Sequence, residues 1–318
     1  MNEIWIVGAG FMAIEYARVL RAQGRSFRVI GRGAESAQRF LDATGTAPVT
    51  GGLDLFLGRD PELPEAAIVA VNVEALLPSA VALMKYGVKQ LLIEKPGVCN
   101  YGEADELERI AEQTGSRVYI GYNRRFFASV MAAEKIIKED GGVSSFHFEF
   151  TEWARRVMSV PRTPASVENL FLTNSTHVVD TAFFLGGEPA QMTCFQSGAG
   201  ELDWHPSGAV YAGAGVSRTG ALFSYEADWL APGRWAVEIL TKSHRLYLKP
   251  METLQIQQLE SVKVEPVQID DRLDREFKPG IYLQTKAFLE NEGSRLCSLK
   301  EQCRYIREVY SQISGGKG

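Results

Sequence analysis

The chain has 318 residues, 45% hydrophobic and 23% charged, with 34 basic against 39 acidic side chains and a formal net charge of −5. That length suits two domains of about 150 residues each, and the composition excludes a disordered, collagenous or coiled-coil chain. Weak net acidity argues against a nucleic-acid binder, whose surface is ordinarily basic.

Up to residue 121, short apolar runs alternate with helical patterns. The runs at 4–7, 27–30, 67–71, 91–93 and 118–120 lack in-and-out alternation, as strands buried on both faces do. Between them, 12–23, 36–43, 74–86 and 103–113 carry apolar residues at helical spacing, with Gly24, Gly45, Gly87 and Gly115 at their ends. Repeated strand–helix–strand units predict a doubly wound parallel sheet with right-handed crossovers. From residue 122 the rhythm changes. A helix is predicted over 127–138, a strand over 145–151, an irregular Arg-, Pro- and Ser-rich stretch to 166, and a helix over 176–185. Half-exposed strand segments, including 221–229, 235–241 and 245–248, predict an open, mainly antiparallel sheet. Ser298-Leu299-Lys300-Glu301 has capping-box spacing and opens a helix to about residue 313. Gly315-Gly316-Lys317-Gly318 is expected to fray.

No apolar run approaches the ~20 residues of a membrane span. Ile4-Trp5-Ile6-Val7 follows the N-terminus without a basic leader, so neither a membrane segment nor a signal peptide is expected. The four cysteines, Cys99, Cys194, Cys297 and Cys303, form no CxxC pair, and with four His no zinc spacing arises. Reduced thiols in a cytoplasmic protein without a bound metal are the expectation.

Gly8-Ala9-Gly10-Phe11-Met12-Ala13 follows the first strand and opens the first helix, a GxGxxA pattern inside a βαβ unit. Gly8 permits the tight turn. Gly10 lets the backbone, with Phe11 and Met12, approach a pyrophosphate on the helix N-terminus, and Ala13 allows close helix–strand packing. An NAD site offers Asp or Glu about 20 residues further on. Here Arg28-Val29-Ile30-Gly31-Arg32-Gly33 ends the second strand without an acid. Arg32 suits a 2′-phosphate, Gly31 leaves room for it, and Ser36 adds a hydrogen bond. The expected cofactor is NADP, with NAD as the alternative. Asn72 is placed to meet the cofactor ribose or nicotinamide. The expected division is a dinucleotide-binding Rossmann domain over 1–122 and an α/β substrate and oligomerisation domain over 123–318.

Leu91-Leu92-Ile93-Glu94-Lys95-Pro96 puts a charged pair directly after a buried strand. Ligands of doubly wound sheets bind beyond the carboxyl ends of the strands, so Glu94 and Lys95 are expected beside the nicotinamide. The bond before Pro96 is a candidate cis peptide.

With these motifs the sequence resembles the Gfo/Idh/MocA family of dinucleotide-dependent oxidoreductases over essentially its whole length. Glu94-Lys95-Pro96 matches the family's E-K-P motif. Gly121-Tyr122-Asn123-Arg124-Arg125-Phe126 is similar to its crossover into the second domain. Thr173-Asn174-Ser175-Thr176-His177-Val178-Val179-Asp180, followed by Leu185 and Gly187, is similar to its D-x-G-x-H-x-x-D segment. The resemblance implies that Lys95 and His177 work on a substrate hydroxyl. A neutral His suits proton removal near pH 7, and a Lys ammonium stabilises charge developing on the oxygen. Asp180, three residues past His177, either orients the imidazole or pairs locally. The chain departs from the family at Thr173, often Asp there, and at Ser175, usually Gly. Asn174, Asn169 or Thr173 itself is the candidate for a replacement hydrogen bond to substrate.

Asn123 is expected near the substrate, and Trp153, Arg155, Arg156 and Arg162 are candidates to line its pocket. Arg234-Trp235 and Lys278-Pro279-Gly280-Ile281-Tyr282 resemble segments of sugar-modifying members. Arginines at a pocket suit a carboxylate or phosphate, hence an acidic or nucleotide-linked sugar. The leading expectation is NADP-dependent oxidation or reduction of a hydroxyl/carbonyl pair on a sugar or polyol derivative held between the domains. The alternatives are redox-cycled glycoside elimination or hydrolysis with retained NAD(H), and a non-catalytic cofactor-binding sensor or regulatory protein. The resemblance also implies a homodimer or homotetramer paired through the second domain's sheet.

Overall fold

The computed structural model describes residues 3–160 and 162–315. Residues 316–318, most of the end expected to fray, lie outside the described residues. Two compact units form, the first from the segment ending at Asn123 together with Leu273–Ile306, the second from Arg124–Arg272 and the segment after Ile306. The first crossing falls beside the expected boundary at residue 122. The return of Leu273–Ile306 to the first unit departs from a contiguous division.

In the first unit, β1 (Ile4–Val7), β2 (Phe27–Ile30), β3 (Ala66–Val69), β4 (Gln90–Ile93) and β5 (Arg117–Ile120) form a parallel sheet in the order β2-β1-β3-β4-β5. The fully buried runs IWIV, AAIV and QLLI form its centre. The connecting helices are α1 (Phe11–Ala22), α2 (Ala34–Thr44), the unforeseen short α3 (Gly52–Leu57), α4 (Val73–Tyr86) and α5 (Tyr101–Thr114). The left-handed glycines Gly45, Gly87 and Gly115 cap α2, α4 and α5. Chain order reverses between β1 and β3, which opens a crevice at their carboxyl ends.

The later segment belongs here through local pairing. Strand β14 (Cys297–Ser298) extends the sheet antiparallel to β5 with Cys297 opposite Ile120, and α11 (Ile281–Leu289), which follows the short α10 (Arg272–Glu276), packs on α1. Ser298 caps α12 (Leu299–Tyr305) by accepting from the Glu301 amide at 3.2 Å. The expected helix to residue 313 is broken by a π-helical turn at Ile306–Tyr310 before the short α13 (Ser311–Ile313).

In the second unit, eight strands form one sheet. They are β6 (Ser145–Glu149), β7 (Pro189–Ser197), β8 (Val210–Ser217), β9 (Leu222–Asp228), β10 (Ala236–Leu240), β11 (His244–Leu248), β12 (Gln255–Gln258) and β13 (Val264–Pro266). Their order is β13-β12-β11-β10-β6-β9-β8-β7, antiparallel except for β6 with β9. Alternate residues Phe146, Phe148, Phe223 and Tyr225 turn inward; Phe146 stacks on Phe223 and Phe148 on Tyr225, each at 5.3 Å between centroids. Helix α6 (Ala128–Glu139) and helix α9 (Thr176–Gly186) pack together, and α9 lies on β6 and β10, buried at ten of its eleven residues.

The stretch expected to be irregular up to residue 166 contains α7 (Ala154–Ser159) and α8 (Pro164–Glu168). Helix α8 starts because Pro164 occupies its first turn and Thr163 caps it, accepting from the Ser166 amide at 3.2 Å. One π-helical turn, Phe171–Ser175, then leads directly into α9.

Asp180 is paired, but with a residue remote in sequence rather than locally. Arg125, from the 3-10 turn Asn123–Phe126, donates from Nε to both carboxylate oxygens of Asp180, at 2.9 and 3.2 Å. Both side chains are almost fully buried, at 3% and 1% exposure. Removing one partner of a buried pair strands the other charge, at a cost of about 3–5 kcal/mol. Asp180→Ala should therefore lose about that much stability in urea unfolding; a loss below about 1 kcal/mol contradicts this account of the pair.

Candidate active site

In the first unit the glycine turn lies in the crevice. Gly8 has φ +115°, and a Cβ there would overlap the carbonyl oxygen of Ala70 just beyond β3. A Cβ on Gly10 would meet nothing within 4 Å, which leaves open space beside the start of α1. The first turn of α1 receives no side-chain cap, so its amides point to that space uncapped. Ala13 is fully buried, whereas the Phe11 ring is 65% exposed with the Lys278 ammonium 5.4 Å from its centroid. This cradle fits a dinucleotide pyrophosphate.

At the end of β2, buried Gly31 is followed by exposed Arg32, which has no ion-pair partner among the described residues. The Ser36 hydroxyl donates to the Gly33 carbonyl at 3.0 Å, so it is engaged in its own turn. Asn72 immediately precedes α4 and makes no side-chain cap.

At the end of β4, the Glu94 amide donates to the Val69 carbonyl at 2.9 Å, which ties it to the end of β3. The Lys95–Pro96 peptide is cis, as the sequence suggested; Lys249–Pro250, also cis, was not anticipated. Tyr16, absent from the sequence-based candidates, donates from its hydroxyl to Glu94 Oε1 at 2.7 Å. Burial raises the Glu94 carboxyl, against the Tyr16 hydrogen bond, the charges of Lys95 and Lys278, and the Lys95 amide. Burial and the facing Glu94 carboxylate raise the Tyr16 hydroxyl well above its ordinary value. The only sequence signal for Tyr16 was a phenol on the buried face of α1, which needs a hydrogen-bond partner. Asn123 donates its amide to the Pro279 carbonyl at 2.8 Å, so it braces that loop.

In the second unit a buried carboxylate, also unforeseen, organises the residues near His177. Glu152 Oε1 accepts from the Ser175 hydroxyl at 2.7 Å and the Trp235 indole at 3.2 Å. Glu152 Oε2 accepts from the Asn174 amide at 2.9 Å and from Arg234 at 3.3 Å. Arg234 and Arg124 lie over the Trp235 ring, 4.1 and 4.6 Å from its centroid. Burial and the charge of Arg234, opposed by Glu252 and Glu152, bring the Arg124 guanidinium down to about 10, so it stays charged at neutral pH. His177 is buried in the first turn of α9, its ring 6.2 Å from Trp235.

The neutral groups proposed to replace the family's Asp are engaged within the protein. Thr173 donates to the Ser166 carbonyl at 2.9 Å, Asn169 to the Ala165 carbonyl at 3.0 Å, and Asn174 to Glu152. A pocket of about 330 Å³ opens beside them, with Glu152, Trp153, Arg156, Arg162, Asn174 and Arg234 in its lining. Arg155, the arginine expected at the substrate, is exposed and does not line it.

The glycine turn, the open crevice and the charged pair beyond β4 define a dinucleotide-binding Rossmann unit, joined in one chain to an α/β unit. Residues 3–122, the first domain, match the Gfo/Idh/MocA family model described as "Oxidoreductase family, NAD-binding Rossmann fold". None of the curated proteins matches the sequence. Solved structures share the fold along its length. A UDP-N-acetylglucosamine 3-dehydrogenase (GnnA) from Acidithiobacillus ferrooxidans aligns over 99% of this chain and 98% of its own, at 17% identity and TM-score 0.73. A levoglucosan dehydrogenase in complex with NADH aligns over 99% and 96%, at 17% identity and TM-score 0.77. An oxidoreductase from Desulfitobacterium hafniense, described as NADPH-dependent, aligns over 99% and 95%, at 15% identity and TM-score 0.79. Among the described residues no helix is long and apolar enough to cross a membrane.

Burial raises the Glu152 carboxyl above its ordinary 4.5, against its hydrogen bonds from Ser175, Asn174 and Trp235 and the charge of Arg234. A carboxyl raised on folding stabilises most below its unfolded value, and that contribution fades as pH climbs through the folded value. Glu152→Gln removes this titration. The wild-type-minus-variant stability, from urea unfolding at a series of pH values, should decline as pH rises above 4.5. A flat or rising difference would show that burial does not dominate this carboxyl.

Proposed function

We propose that the protein is an NADP-preferring oxidoreductase that transfers hydride between the cofactor and a hydroxyl-bearing carbon of a sugar or polyol derivative. The observation that carries this assignment is the Glu94-Lys95 pair at the carboxyl end of β4, tied to the end of β3 beside the Gly8 turn. The sugar class draws support from the two neighbours named as dehydrogenases of UDP-N-acetylglucosamine and levoglucosan.

The nicotinamide supplies a two-electron hydride carrier when bound. Gly8, Gly10 and the uncapped amides of α1 would hold its pyrophosphate, with Phe11 and Met12 beside them. Arg32 would pair with a 2′-phosphate as a planar, permanently charged fork with Ser36 beside it, and Asn72 would meet the ribose or nicotinamide. Lys95 Nζ donates to the substrate oxygen and stabilises the charge that develops there. A ring nitrogen of His177 takes the hydroxyl proton as the carbonyl forms, and returns it in the reverse direction. Thr173, Asn174 and Asn123 serve the substrate through the backbone and carboxylate positions they fix.

Cofactor choice is read by nicotinamide fluorescence. NADPH should bind more tightly than NADH, and Arg32→Ala should weaken NADPH binding about tenfold or more while leaving NADH nearly unchanged. An unaltered NADPH dissociation constant in the variant removes Arg32 from the role.

The chemical role is read on a substrate found by screening sugars and polyols with both cofactors. Lys95→Ala should lower kcat about 10²–10³-fold at unchanged cofactor affinity. Turnover that survives this substitution overturns the mechanism. Product formation without net nicotinamide absorbance change, on tightly retained cofactor, points instead to redox-cycled elimination or hydrolysis.

A further inference from the structure

The pocket of the second unit carries more positive charge than its own contacts use. Three arginines, Arg156, Arg162 and Arg234, face one carboxylate, Glu152. That carboxylate is already taken by Ser175, Asn174, Trp235 and Arg234. Arg234 is held in place, 3.3 Å from Glu152 and stacked over the rings of Trp153 and Trp235 at 4.8 and 4.1 Å. Arg156 lies 5.5 Å from the Trp153 centroid and has no acidic partner among the described residues. Arg162 has none either, and its Nε is buried without a hydrogen-bond partner.

Like charges gathered around a concave, partly desolvated wall repel one another, and a buried guanidinium donor without an acceptor is unfavourable. An oxyanion relieves both, and a guanidinium fork matches a carboxylate or phosphate with two parallel hydrogen bonds. Trp153, 45% exposed and braced by its indole donating to the Gly233 carbonyl at 2.8 Å, offers an apolar rim for the rest of the ligand. The volume, about 330 Å³, is that of a small-molecule subsite.

We infer that this pocket is a specificity subsite for an anionic group, a carboxylate or phosphate, carried on the substrate, with Arg156 and Arg162 as its principal ligands and Arg234 as a fixed third. That the anion is attached to a sugar rests on the function proposed above; the anion site itself rests on the pocket alone.

Isothermal titration of the full chain with D-glucose 6-phosphate, D-glucuronate and D-glucose tests it without turnover. At least one charged sugar should bind about tenfold or more tightly than glucose, and should weaken as salt is raised. A preference for the phosphate over the uronate identifies a phosphate site, and the reverse a carboxylate site. Arg162→Ala and the exposed-site substitution Arg156→Ala should each reduce the preference severalfold, with circular dichroism and NADPH binding unchanged. Equal affinity for all three sugars, no binding of either charged sugar up to about 10 mM, or a preference that survives both substitutions together overturns the subsite. Charged sugars that bind through these arginines yet are never oxidised or reduced count against the dehydrogenase assignment and leave the subsite standing.

Discussion

Burying the Glu152 carboxylate is the constraint around which the second unit is arranged. A carboxylate withdrawn from water costs on the order of several kcal/mol unless its oxygens are satisfied. Here four donors arrive from separate parts of the chain: Ser175 and Asn174 from the π-helical turn, Trp235 and Arg234 from the approach to β10. Glu152 itself follows β6, which lies next to β10 in the sheet. The cost of burial is offset only while all three segments hold their places, so one side chain ties together the ends of the central strands β6 and β10, the start of α9 and one wall of the arginine pocket.

The first unit uses the same physics with a smaller set. Glu94 is held by one phenol donor and lies near the charges of Lys95 and Lys278. Tyr16 stands on α1, the helix that begins at the glycine turn, whereas Glu94 ends β4. Their hydrogen bond therefore couples the cofactor crevice to the residue that precedes Lys95. Gly121 lies against this bond: a Cβ there would stand 3.4 Å from both Glu94 Oε1 and the Tyr16 hydroxyl, at van der Waals contact.

The strands and helices of the parallel sheet were legible because continuous apolar runs and helical periodicity are local properties of the sequence, and each glycine cap marks its own helix end. The open second sheet was legible from the alternation in segments such as β9. The Leu273–Ile306 return was not, because strand addition to β5 is a long-range pairing with no local signature. Glycine turn, charged pair and His177 could be read as motifs. Glu152 could not, since an acid beside an aromatic looks like loop surface until four distant donors converge on it. Arg155 and Arg156 illustrate the same limit. Adjacent arginines on a short helix point in different directions, and only the folded chain shows that Arg156 faces the pocket.

Two departures from the family pattern acquire a structural meaning in this arrangement. Where the resemblance leads one to expect glycine, Ser175 supplies a hydroxyl that Glu152 accepts; where it leads one to expect aspartate, Thr173 donates to the Ser166 carbonyl and closes the chain between α8 and the π-helical turn. His177 is thereby bracketed. Two residues before it, Ser175 is anchored to Glu152; three residues after it, Asp180 is anchored to Arg125. Just past the second anchor, the Thr181 hydroxyl donates to the carbonyl of His177 itself at 2.7 Å. A wide π turn has fewer well-formed backbone bonds than an α turn and is the natural place for a helix to yield. The side-chain anchors on either side restrain that yielding, so the imidazole is presented from a backbone held by two buried carboxylates rather than by helix geometry alone.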